Sequence, residues 1–218
     1  MRPGVTFVPF AILSAVLLAG CTNNTPGHGG ATGARDPVSV APTVSSSPQT
    51  SASTSPPVST AVPADVPTTG PNLLRKGERP PVLPAVATEH TPAGAVAFAK
   101  FFIQTIDWGF ATTSGAYMRH YYAKSCVECV SHADGLDNTR KASEHYVGGR
   151  FTITGVMAAQ SAQPANASVV VTFDLTSAVV LDASGTYVNG DRAYSGLRRQ
   201  LWLNWMDGAW QVTNMRPA

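Results

Sequence analysis

Two cysteines three residues apart, Cys126-Val127-Glu128-Cys129, are the densest chemistry in this 218-residue chain. The pair supports three readings. One is a structural disulfide that fixes the start of a helix; a four-residue loop removes little chain entropy, so its purpose is local geometry. The second is a thiol-exchange centre, in which a helix amino terminus lowers one thiol's pKa, although the upstream strand-helix-strand context of such centres is missing. The third is metal binding by Cys126, Cys129 and His132, with His120 or His145 as fourth ligand, for which neither spacing nor a closed tetrahedral set is established. Acid and base candidates are fewer. Asp107 falls on one helix stripe with Lys100 and Gln104, and Asp174 falls on the strand face opposite Phe173 and Leu175, so neither points into a core. His120 and His145 stay open. No nucleophile elbow, phosphate-cradling glycine loop or His-Glu zinc signature occurs. No catalytic residue, metal or cofactor is therefore assigned.

The remaining cysteine, Cys21, closes an apolar run that begins near Val5 and follows Arg2. A positive start, a hydrophobic centre and small residues before a cut form the layout of a secretory signal. The run covers only about 12 to 15 residues, too short to cross a bilayer. Its end, Leu18-Ala19-Gly20-Cys21, resembles the lipobox of bacterial lipoproteins. That resemblance implies cleavage between Gly20 and Cys21, a lipid on the Cys21 thiol and an extracytoplasmic position at the cell membrane. Several acyl chains hold such a protein stably, since each buried methylene contributes about 0.8 kcal/mol. In that compartment the Cys126-Cys129 pair is free to oxidise.

Composition divides the chain. Charged residues are 13%, about half the usual share, and the deficit lies in the first third. Residues 1–20 read as signal peptide and 21–87 as the lipidated cysteine with a disordered Ser/Thr/Pro-rich stalk. Such a composition buries too little apolar surface to offset chain entropy. A stalk of about 65 residues spans roughly 45 Å as a coil and up to about 200 Å as extended polyproline chain. Ser/Thr with Pro also suits O-glycosylation. Arg75, Lys76 and Arg79, interrupted by Glu78, read as a solvated patch. The net charge of +2 and the lack of a basic stripe interleaved with aromatics exclude nucleic acid.

Residues 88–218 read as a head of the α+β class: amino-terminal helices packed on a curved antiparallel sheet of about four strands. Thr91-Pro92 caps a helix reaching about Ala111, with Phe98, Phe101, Phe102, Thr105, Ile106 and Gly109 on one face. After a break at Ser114-Gly115, Tyr117, Tyr121 and Tyr122 pack or cap the helical layer. A further helix runs from Ser125-Cys126 to about His145, with Asp134-Gly135 as a candidate interruption, and Gly148-Gly149 ends the helical half. From Arg150 the period becomes two, and Asp207-Gly208 joins two apolar runs as a hairpin. Trp205 shares a face with Leu201 and Leu203. Trp202 points the other way and, with Tyr121, is the candidate interaction residue.

A long first helix, a shorter helical stretch and a sheet ending in Trp205-Met-Asp-Gly-Ala-Trp210 resemble the cone-shaped fold of nuclear transport factor two and ketosteroid isomerase. The lipobox, the stalk, Glu89-His90-Thr91, Ala93-Gly94-Ala95 and the cysteine pair together resemble uncharacterised actinobacterial lipoproteins, named as a domain of unknown function. The resemblance implies no catalytic residues. The expectation is a membrane-anchored, non-catalytic interaction or small-ligand module, with an envelope protein or a small apolar ligand as partner. Isomerase-like chemistry in the cone and thiol exchange stand as alternatives.

Overall fold

Threonine before proline is a strong helix start, because the hydroxyl satisfies an orphan N–H and proline lacks one to satisfy. In the computed structural model, which describes residues 59–159 and 165–218, helix α1 spans Pro92–Thr112 and the Gly94 N–H donates to Thr91 Oγ1 at 3.0 Å. It stops at Thr113, which takes φ 50°. The expected face is buried, with Phe101 and Phe102 fully so, and each such phenylalanine contributes about 1.5–3 kcal/mol over its exposed state. Lys100 and Gln104 are exposed on the opposite stripe.

Helix α2 is the single turn Ala116–Arg119, and α3 spans Val127–Lys141 without a break at Asp134-Gly135. It ends earlier than expected. Ser143 takes φ 60°, which reverses the chain, and His145–Gly148 forms strand β1. His145 is therefore a strand residue. Its partner strand lies some thirty residues later, and local periodicity carries no trace of it.

Four strands, β2 (Phe151–Ala159), β3 (Asn166–Leu175), β6 (Tyr194–Met206) and β7 (Ala209–Pro217), form an antiparallel sheet in the order β2-β3-β6-β7. A second sheet, in the order β1-β4-β5, adds three strands, β1, β4 (Ala178–Leu181) and β5 (Tyr187–Asp191), to the four expected. The period-two reading holds: Val169, Val171 and Phe173 of β3 are buried, as are Leu201 and Leu203 of β6. At the β6-β7 turn Asp207 and Gly208 have φ 52° and 80°, the doubly positive geometry whose twist suits a two-residue hairpin. Trp205 then pairs with Trp210.

The largest correction concerns where the head begins. Val66, Leu83 and Ala87, placed in the stalk by composition, are 4%, 3% and 1% exposed and belong to the core. Residues 62–90 form a strap across the head, containing only a short 3-10 helix at Ala85–Thr88. Because prolines supply carbonyls but no N–H, three strap carbonyls are held by side-chain donors from the head. Trp108 Nε1 donates to Pro67 O at 2.9 Å, Tyr117 Oη to Pro81 O, and Trp210 Nε1 to Glu89 O at 2.9 Å. Asn72 stitches strap to head: its side chain donates to Phe110 O and Gly148 O and accepts from Gly148 N. Beside it, a Cβ on Gly70 would sit 2.3 Å from Ala111 O, so only glycine permits this approach. Gly20, Cys21 and the stalk as far as Val58 lie outside the described residues. Among the described residues no helix is long and apolar enough to cross a membrane.

Candidate functional site

Cys126 caps α3, its sulfur accepting from Cys129 N at 3.4 Å, and the two sulfurs form a disulfide. Both residues are fully buried. Thiol exchange needs an attacking thiolate to reach a sulfur, and neither sulfur is presented to solvent. The metal reading loses its ligands to the same bond, and its histidines are dispersed. His132 faces Glu128 at 3.6 Å, and burial pushes its pKa below the usual imidazole range. His120 contacts Asp65 at 2.9 Å, while His145 stands on β1. Among the described residues no cluster of His, Cys, Asp and Glu could hold a metal.

The interior where a cone-shaped enzyme would hold substrate is packed with side chains. Phe98, Phe101 and Phe102 of α1 join Val169, Val171, Leu201, Leu203 and Val212 in one cluster, each no more than 2% exposed. Tyr117 and Tyr121 extend it by edge contacts with Phe101. Burial raises the pKa of both phenols, most strongly that of Tyr117, so neither exchanges a proton near neutrality.

A cleft of about 430 Å³ opens between the wet stripe of α1 and β2, lined by Lys100, Gln104, Asp107, Phe151 and Thr152. Its carboxylate is not free for acid-base work. Arg150, 4% exposed, donates from Nε and Nη2 to both Asp107 oxygens at 2.9 and 2.8 Å, and from Nη2 to Glu78 Oε1 at 2.7 Å. Asp107 also accepts from Phe151 N at 2.8 Å. Burial works against the Arg150 charge, but hydrogen bonds to Asp107 and Glu78 outweigh it and raise its pKa; the Arg150 bond in turn holds Glu78 below the ordinary carboxylate range. The arrangement is an ionic clamp between strap, α1 and β2. In the sequence its only signal is faint, a lone arginine between a glycine pair and an apolar strand. Asn72, Trp108 and Trp210 were missed because their partners are backbone carbonyls far away in the chain.

Tyr121 lines a second, smaller cleft of about 110 Å³, with Leu83, Ala87 and Thr88 of the strap facing Phe98, His120 and Trp210. Trp205 closes the same end, edge-on to Trp210 and stacked on His90 at 4.7 Å. Trp202 lies elsewhere. It is half-buried beside Ser168, with the Arg216 guanidinium 5.7 Å over its ring. The two interaction candidates thus occupy separate surfaces, and only Tyr121 adjoins the strap.

No curated protein matches the chain. Among solved structures, the intermembrane space region of the chloroplast protein ARC6 is similar with a TM-score of 0.43 and 14% identity, over 58% of this chain and 95% of that one. Aln2 from a Streptomyces species is similar with a TM-score of 0.35 and 10% identity, over 56% of this chain and 85% of that one. The match that covers residues 79–216, more than half the sequence and from the strap to the last strand, shows that the chain belongs to the family of unknown function DUF6318.

Proposed function

We propose that this chain is a membrane-anchored envelope lipoprotein whose head is a non-catalytic binding module with a cone-type fold. The observation that carries the reading is the filled interior, where three phenylalanines of α1 occupy the volume a substrate would need. The carboxylate at the α1 cleft supports it further, since Asp107 is committed to Arg150. At the Tyr121 end, cleft size favours a protein partner over a free ligand. The apolar cleft beside Tyr121 holds about 110 Å³, whereas small-molecule sites usually offer about 300–1,000 Å³. The anchor rests on Leu18-Ala19-Gly20-Cys21.

Two measurements test this reading. Metabolic palmitate labelling and membrane fractionation of wild type and Cys21→Ser are expected to show label and membrane association in the first and neither in the second. Native mass spectrometry of the detergent-purified protein is expected to give the chain with one disulfide. Equal labelling of both proteins sinks the anchor, and a co-purified molecule that is chemically converted on incubation sinks the non-catalytic assignment.

A further inference from the structure

The way the strap is held names the kind of partner that the binding-module reading requires, and the inference rests on that reading. An extended proline-containing segment has no ladder of its own and offers carbonyls as its main polar groups. Domains that bind such segments in trans meet them with aromatic grooves. The head does this to its own chain. Trp108, Tyr117 and Trp210 each donate to a strap carbonyl, two of those carbonyls belonging to Pro67 and Pro81. Pro84 has the polyproline angles φ −63° and ψ 144°. Between Pro81 and Pro84 the contact is one residue deep: Leu83 is 3% exposed while Val82 beside it is 60% exposed.

The occupant also fits its groove incompletely. The cleft of about 110 Å³ left between Ala87, Thr88 and the facing Phe98, Tyr121 and Trp210 is room for a side chain larger than Ala87. The outer fastening is light, because the Asp65–His120 pair is 61% and 37% exposed, and exposed pairs contribute little. We infer that the groove of Phe98, Tyr117, Tyr121 and Trp210 is a recognition site for an extended Pro-Pro-x-Leu segment of a partner protein, occupied in cis by residues 79–90. The cis segment competes at an effective concentration on the order of millimolar, so a partner gains entry by filling the groove better or by acting when the strap is released.

A fluorescein-labelled peptide of residues 79–90 titrated into the detergent-purified full chain tests the assignment by anisotropy. Wild type is expected to bind it only near millimolar peptide, and Leu83→Ala, which loosens the cis segment, about tenfold or more tightly. The same peptide with Ala87→Leu is expected to bind Leu83→Ala about tenfold more tightly than the parent peptide, because three added carbons enter the cleft. A peptide with Leu83→Ser is expected not to bind. Near-UV circular dichroism reports whether Leu83→Ala keeps its tryptophan packing. Where it does not, the indole N–H resonance of Trp210 in wild type must shift with millimolar parent peptide and stay still with the Leu83→Ser peptide.

Binding that ignores Leu83, a still Trp210 indole resonance, or a concentration-dependent dimer that excludes the peptide each overturn the inference; the last would make the occupant a second copy of the strap. These outcomes leave the palmitate and native-mass results untouched. The peptide inference and the module reading therefore fail separately.

Discussion

Arg150→Met should destabilise the head by about 3 kcal/mol, through the clamp that joins strap, α1 and β2. The guanidinium is almost fully enclosed, its side chain 5% exposed, and makes five hydrogen bonds: two to Asp107, two to Glu78 and one to Asn72 O. Methionine keeps the apolar stem and leaves two carboxylates, 15% and 20% exposed, without a counter-charge. Removing one partner from a buried ionic cluster costs about 3–5 kcal/mol, and the residual exposure places this case at the lower end. For a domain of this size 1 kcal/mol corresponds to about 2–4 °C, so the melting temperature should fall by about 6–12 °C at pH 7. Glu78→Gln/Asp107→Asn/Arg150→Met, which buries no charge, should recover at least half of that loss. Differential scanning calorimetry of the three proteins decides the matter. A single variant within 2 °C of wild type, or a triple variant that melts below it, refutes the clamp as a fastening.

The same clamp sets a pH dependence. The folded pKa of Glu78 lies below its ordinary value of 4.5, so its contribution is complete above about pH 4.5 and is lost as pH falls through the folded value; the wild-type melting temperature should drop from pH 5 to pH 3, and less steeply in Glu78→Gln. Cys126→Ala/Cys129→Ala should lower stability by about 2 kcal/mol, the chain entropy of a four-residue loop, with unchanged far-UV dichroism; loss of the α3 signal would show that the bond is needed for the helix to form at all. Gly208→Val should cost about 1–2 kcal/mol by urea denaturation, because φ is 80° there and β-branched residues resist that region; no change would mean that the hairpin accepts another turn. Ala87→Leu in the intact chain should raise the melting temperature by a few degrees by filling the strap cleft, and should weaken binding of the peptide in trans; a lower melting temperature would mean that the cleft cannot admit the side chain.

What was legible in the sequence is what short-range physics determines. Thr91-Pro92 marks the start of α1 because cap and missing donor are adjacent. Val169, Val171 and Phe173 report a buried strand face through alternation alone, and Asp207-Gly208 encodes its hairpin because few residues accept two consecutive positive φ angles. The strap escaped because it touches the core through single side chains, Val66, Leu83 and Ala87, spaced too irregularly to register as a period. Its hydrogen bonds come from far along the chain: Trp108 is 41 residues from Pro67, and Trp210 is 121 from Glu89. The second sheet escaped for a similar reason, since β1 and β4 are four-residue strands whose pairing is non-local. Of the candidate interaction residues, Tyr121 lines the strap cleft, and the strap that makes that cleft is invisible to local pattern. Asp107 was placed on the correct stripe, but its engagement by Arg150 was invisible, because a carboxylate's partner is a tertiary fact.

The strap has a mechanical consequence. It is the part of the head nearest, along the backbone, to the amino-terminal stretch, so tension arriving from that side loads its attachments in series, beginning at the Asp65–His120 pair, Val66 and Pro67. The Asn72 stitch and the Arg150 clamp come next, and the Tyr117 and Trp210 bonds last. Bonds loaded one after another yield like a zip, at lower force than the same bonds sheared together, and the helices and four-stranded sheet beneath need not unfold. Pulling on this chain would therefore bare its aromatic groove in steps before it threatened the fold.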